Sequence, residues 1–250
     1  MTGSVLALFV AVTVVGGLFK GATGFALPLL TVPVLSLFLG PRDAVVTMSI
    51  PILLANLADV KWGWREWRNL RQVTAYMVAG VAAVPIGVYF LHRGDPDVIR
   101  LLIGLVVYFF LLVRRFGRPM QSLRPAARHG AGACLGVLAG FLTGVSSLPG
   151  PVNLAYLSSM FGKETFIFVL NVFNSLGSTS QVSTFALGGT YPPPVLAQTA
   201  AAVVPVLAGY WAGLSIRDRL QQKTFTQIVS IVLFCVATSL VGQSIYKFLA

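Results

Sequence analysis

Long apolar runs, cut by short polar and basic stretches, set the pattern of this chain. About 20 apolar residues in a helix cross the hydrocarbon core of a bilayer. Between residues 3 and 41 the only charge is Lys20. This stretch is too long for one helix, and Gly16, Gly17, Gly21, Gly24, Pro28 and Pro33 interrupt it. Residues 44–58, 72–91 and 98–113 are the next apolar runs, the last broken only by Arg100. After the basic stretch 114–128 the pattern returns. Residues 130–162 carry no charge and contain Gly140, Gly144, Pro149, Gly150 and Pro151. Residues 165–216 are uncharged throughout, and the Gly-Gly-Thr-Tyr-Pro-Pro-Pro run at 188–194 divides them into two helices. Residues 224–246 form the last span.

The two halves match at a shift of about 120 residues. Thr23-Gly24 falls on Thr143-Gly144, and Pro85 falls on Pro205. Each half opens with a Gly/Pro-broken stretch and continues with three ordinary spans. Such internal symmetry is a mark of secondary transporters. The predicted organisation is a first transmembrane repeat at 1–116, a basic cytoplasmic linker at 117–129 and a second repeat at 130–250.

Loop charge orients this pattern. If each broken stretch crosses once, the two sides hold 10 and 7 Lys/Arg. If each is instead a hairpin that enters and returns, the loops 61–71, 114–128, 162–164 and 216–223 share one side, with 13 Lys/Arg against 4. The excess of Lys/Arg in cytoplasmic loops favours the second arrangement. The expected fold is therefore an all-α polytopic membrane protein of two inverted repeats. Each repeat is a Gly/Pro-broken helical hairpin plus three transmembrane helices, and both termini lie outside. The hairpin arms should be about 16 residues, or roughly 24 Å, each, either dipping in and returning or crossing as short full spans with the same topology.

Composition agrees. The chain is 56% hydrophobic and only 10% charged, against about 25% charged in soluble domains. Its net charge of +11 lies in loops between apolar spans, which speaks for membrane orientation rather than nucleic acid. Trp62, Trp64 and Trp67 with Arg65 and Arg68 read as an interfacial belt. Cys134 and Cys235 lie in apolar runs with no CxxC spacing, and read as small packing residues rather than a metal site or disulfide. The start lacks the positive region of a cleavable signal peptide, so it is expected in the mature protein.

The candidate chemistry sits at the two broken turns. The first offers Gly21, Thr23, Gly24, Phe25 and Pro28; the second offers Thr143, Gly144, Ser146, Ser147, Pro149, Gly150 and Asn153. Non-helical backbone at membrane depth survives only where protein or a water-filled cavity satisfies it. Each turn leads into a helix whose first N–H groups lack partners and carry partial positive charge. Two such turns entering from opposite faces would meet as an anion site. Close helix packing is the other use for such small residues. The span after residue 165 is polar for a membrane helix, and Asn174, Ser178 and Gln181 recur on one face. That face serves either as cavity lining or for interhelical hydrogen bonds. The corresponding span of the first half offers Ser49, Asn56 and Asp59, with Asp59 read as an interfacial charge. Lys20 is either a cation drawing an anion inward or a residue snorkelling to an interface.

The segment 17–26 (Gly-Leu-Phe-Lys-Gly-Ala-Thr-Gly-Phe-Ala), with Leu27-Pro28 and Pro33, resembles the first repeat of the TauE/SafE sulfite-exporter family. The segment 140–151 (Gly-Phe-Leu-Thr-Gly-Val-Ser-Ser-Leu-Pro-Gly-Pro) resembles its second. Pro85-Ile86-Gly87 and Gly162-Lys163-Glu164 are similar to further landmarks. The resemblance implies a bacterial inner-membrane transporter of small sulfur-containing or carboxylate anions, such as sulfite, thiosulfate or organosulfonates. Ala26 stands where many members carry Gly, and Ser147-Leu148-Pro149 replaces the Cys-Pro type motif of some.

These observations point to a secondary transporter, read as an exporter, that binds a small anion near the midplane by alternating access and can form homo-oligomers. No cofactor, metal or nucleic acid is called for. A channel or accessory subunit is the competing class. A membrane-embedded enzyme would need a nucleophile, metal cluster or paired carboxylates at depth, and His92 and His129, read as loop residues, stand without such partners.

Overall fold

The computed structural model describes residues 3–116, 125–217 and 222–249. Within them the chain is all helical. The order is α1 (Gly3–Thr23), α2 (Leu27–Ser36), α3 (Pro41–Val60), a 3-10 helix (Lys61–Val73), α4 (Thr74–Arg93) and α5 (Pro96–Phe116). Then follow α6 (Pro125–Ser146), α7 (Gly150–Met160), α8 (Lys163–Leu187), α9 (Pro193–Ile216) and α10 (Gln222–Leu249). Six of the described helical segments are long and apolar enough to cross a membrane. Large apolar side chains such as Val78, Ile86, Leu105, Val204 and Ile231 point outward, which suits a lipid surface. The linker residues 117–124 lie outside the described residues, and α6 begins at Pro125.

Both opening stretches break, but not into equal arms. In the first half a 21-residue helix precedes a 10-residue one; in the second, 22 residues precede 11. The expected 16-residue arms were too even because α1 runs on to Thr23 while α2 ends already at Ser36, and Gly16 and Gly17 stay within α1. They are packing positions. A Cβ on Gly16 would lie 2.2 Å from Thr31 Cγ2 on α2, and one on Gly17 would lie 2.1 Å from the Val206 carbonyl on α9. The true break comes at Gly24, whose φ of +88° is open to glycine.

Two glycine seams hold the halves together. In the first, Gly17 faces Val206 and Gly21 faces Tyr210, while Gly209 and Gly213 of α9 face Val14 and Leu18. In the second, Gly136, Gly140 and Gly144 of α6 face Tyr76, Gly80 and Val84 of α4. The numbers rise together in each pair, so α1 runs parallel to α9 and α6 parallel to α4. Each seam joins the first helix of one half to a helix of the other. Such close approach is the membrane route to helix association, where van der Waals packing of backbone on backbone replaces the hydrophobic effect.

Several local readings change. The stretch 61–71 is not an open loop but lies in the 3-10 helix. The side chains of residues 61–64, Trp62 and Trp64 included, and of His129 lie outside the described residues; Trp67 is exposed, with the Arg71 guanidinium 5.9 Å over its ring. His92 sits in the last turn of α4, its ring between the Val88 carbonyl (3.0 Å) and Thr190 Oγ1 (2.9 Å). Cys134 and Cys235 are exposed rather than packed inside.

Candidate functional site

The longest polar helix is enclosed. α8 has 25 residues but is too polar to qualify as a free span, and it lies against α3, α4, α6 and α7. Asn171, Ser175, Ser178 and Gln181 are all buried there. Polar groups at such depth must find partners inside the protein, and the two helix breaks supply them.

At the first break the chain turns through Gly24 and Phe25, and the Thr23 hydroxyl is returned to the Phe19 carbonyl (2.7 Å). The Gly24 carbonyl faces the Lys20 ammonium at 2.9 Å. Lys20 is completely buried. It neither snorkels nor reaches open space: its ammonium also donates to Asn56 Oδ1 (2.8 Å) and Asn171 Oδ1 (2.7 Å), and Asp59 Oδ2 lies 2.9 Å away. Asp59 is thus a buried ion partner, not an interfacial charge. Its other oxygen accepts from the Tyr210 hydroxyl of α9 at 2.7 Å. Sequence distance hid the pairing, since Lys20 and Asp59 come from separate helices.

At the second break Ser147 adopts φ +57°, the one non-glycine residue in the left-handed region among those described. That conformation costs roughly 1–3 kcal/mol and persists only where surroundings hold it. Gln181 does the holding. Its amide donates to the Thr143 carbonyl (2.7 Å) and the Gly144 carbonyl (3.2 Å), and Ser147 Oγ lies 3.1 Å from its Oε1. Ser146 returns its hydroxyl to the Leu142 carbonyl.

The two breaks line one cavity of about 30 Å³, room for about two water molecules. Phe25, Pro28 and Leu29 come from the first break. Thr143, Ser147, Leu148, Pro149 and Gly150 come from the second. Asn56 and Ile52 of α3, Phe110 of α5, and Phe166, Leu170, Asn174 and Ser178 of α8 close it, with Leu154 of α7. No charged side chain is in this lining.

The amides are oriented from behind. An ammonium can only donate, so Asn56 must turn its oxygen to Lys20. Its Nδ2 then points the other way, to Ser178 Oγ at 3.3 Å on the cavity wall. The Tyr76 hydroxyl donates to Asn153 Oδ1, and Asn153 Nδ2 donates to Asn174 Oδ1 at 3.1 Å. That leaves the Asn174 NH2 for the cavity. Leu29 and Gly150, in the first turns of α2 and α7, border the cavity, and a helix's first amides have no carbonyl one turn back. Pro28 and Pro151 occupy one first-turn position each, where a missing N–H costs nothing.

This arrangement of a fold from apolar spans and two broken, facing turns has a family match. The sulfite exporter TauE/SafE family matches residues 8–240. The chain belongs to the TauE/SafE family. Comparison with curated proteins and with solved structures each gives no match. Membership makes this a multi-pass membrane protein of a transporter family.

Of the residues singled out from sequence, the TauE/SafE chain brings Phe25, Pro28, Thr143, Ser147, Pro149, Gly150, Asn174 and Ser178 to the cavity. The others stand behind it. Gly21 packs on α9, where a Cβ would lie 2.1 Å from the Tyr210 carbonyl, and Gly144 packs on α4. Thr23, Gly24, Ser146, Asn153, Gln181 and Lys20 shape or brace the turns. Sequence reasoning ranked Asn56 too low. A polar residue in an apolar span, one turn from another at Asp59, was the available signal.

Proposed function

We propose that this chain is a secondary transporter that binds a small oxyanion between its two broken turns and moves it by alternating access. The carrying observation is the uncharged cavity where both breaks meet, a mostly apolar pocket with a few polar groups set into its wall. Asn56, Asn174 and Ser178 and the helix starts of α2 and α7 offer hydrogens without a fixed positive charge, while the Ser147 hydroxyl donates to Gln181 Oε1. An anion held by dipoles alone can be both desolvated and released. Sulfite, thiosulfate, an organosulfonate or a small carboxylate fits this chemistry. The cavity is smaller than such an anion needs, so entry goes with an outward shift of its walls.

Inverted repeats are part of this reading. α4 ends against Thr190, just before α9 begins, so α4 and α9 run opposite ways. With α1 parallel to α9 and α6 parallel to α4, the first helices of the two halves oppose each other. Rocking of the halves along the glycine seams would expose the cavity to either face. The basic loops mark the cytoplasmic side of an inner membrane and leave both termini outside.

The test is a thermal-shift screen of the solubilised protein against sulfite, sulfate, thiosulfate, sulfoacetate, taurine and small carboxylates, since a ligand of the folded state raises apparent stability. The hit is then followed into proteoliposomes. Ser147→Leu and Ser178→Leu, which fill the cavity, should abolish flux of that anion. Wild-type flux in both variants would remove the site.

A further inference from the structure

The surroundings of Lys20 have the form of a cation site. An ammonium carries three hydrogens, yet four oxygens lie within 2.9 Å of Lys20 Nζ: the Gly24 carbonyl, Asn56 Oδ1, Asn171 Oδ1 and Asp59 Oδ2. Three take the hydrogen bonds. Asp59 Oδ2, the fourth, is the ammonium's ion-pair partner at 2.9 Å. One backbone carbonyl, two amide oxygens and one carboxylate, all buried, form an oxygen set typical of hard cations. Its formal charge is minus one, which one monovalent cation neutralises. Its members come from the turn after α1, from α3 and from α8, so the cage exists only when these three elements are docked.

We propose that this cage is a monovalent-cation site, occupied in this protein by its own Lys20 ammonium as a tethered ion. The occupant fixes the Asn56 amide, whose other end borders the cavity. The tethered charge therefore does what a freely exchanging ion would do: it closes the first break against α3 and α8 and turns a donor toward the cavity. Removal of the tether should leave a site that small cations enter. The distances of 2.7–2.9 Å suit ammonium and K+ ahead of the smaller Na+. Cation binding at this cage is read out without any anion or transport.

The experiment uses the full chain in detergent, with K+, NH4+, Na+ or choline as the only monovalent cation at equal ionic strength. Wild type should melt at the same temperature in all four. Lys20→Ala should melt lowest in choline and rise by about 5 °C or more, saturably, with K+ or NH4+. Lys20→Ala/Asp59→Asn, with no carboxylate to neutralise, should lose that cation dependence. Lys20→Met, which refills the space with methylenes, should also be indifferent to the salt. Equal melting of Lys20→Ala in all salts overturns the proposal and makes the pair a plain structural ion bridge. So does failure of Lys20→Ala to fold in K+ and NH4+ while the double variant folds. A cation response in wild type equal to that in Lys20→Ala would show that the ion binds elsewhere, and likewise overturns it.

Discussion

Gln181 offers the sharpest measure of what holds the second break. Its side chain is fully buried and meets the turn at three points. Replacement by Leu keeps most of the volume and removes every polar contact. The Thr143 carbonyl keeps a partner, because the Ser147 N–H also reaches it at 2.9 Å. The Gly144 carbonyl does not: its helical donor would be Leu148 N–H, which turns to the Leu142 carbonyl instead. One buried acceptor is therefore orphaned, at about 1–3 kcal/mol. The lost hydrogen bonds add about 0.6 kcal/mol each by membrane-protein measure. The total is about 2–4 kcal/mol, or a fall in Tm of roughly 5–15 °C for a chain of this size. Gln181→Glu should cost at least as much, since its carboxylate would face two carbonyl oxygens. Leu187→Ala at the far, exposed end of α8 should stay within about 0.5 kcal/mol. Differential scanning fluorimetry in detergent reads all three. A Gln181→Leu variant within about 2 °C of wild type would show that the left-handed Ser147 is held by packing alone.

A seam, the last helix, the ion pair and its brace yield four further outcomes. Gly140→Leu forces a Cβ to within 1.8 Å of the Gly80 carbonyl oxygen, which no rotamer relieves; the cost should reach or exceed the usual ~1–3 kcal/mol of overpacking, seen as lost monodisperse protein by fluorescence size exclusion. Gly242→Ala, with nothing within 4 Å of the added carbon, should instead gain about 0.5–1 kcal/mol from its place inside α10. Asp59→Leu leaves a buried ammonium without its counter-charge, at about 3–5 kcal/mol, and Lys20→Met on that background should restore much of the lost Tm. Tyr210→Phe removes the donor to Asp59 Oδ1 and leaves the ion pair in place, so its loss of about 1–3 kcal/mol should be the smaller one in the same melts.

The two breaks were legible because they violate the rule that governs every other segment. An apolar stretch with glycine and proline at membrane depth must expose backbone, and only protein or a cavity can accept it. The polarity of α8 was legible for the same reason. What periodicity could not supply was which glycines break the helix and which merely admit a neighbour. Gly16 and Gly17 look no different in sequence from Gly24, and only the proximity of α2 and α9 separates their uses. Lys20 shows a second limit. Its burial is tolerable because Asn56, Asp59, Asn171 and the Gly24 carbonyl converge on it from three helical elements, and a lone sequence carries no record of that convergence. Function follows the same division. The donors facing the cavity are set by residues that never touch it: Lys20 turns Asn56, Tyr76 and Asn153 turn Asn174, and Gln181 holds Ser147 in place. If an anion is bound by dipoles alone, the strength of that binding is decided one layer behind the cavity, and substitutions there should tune affinity without altering the lining.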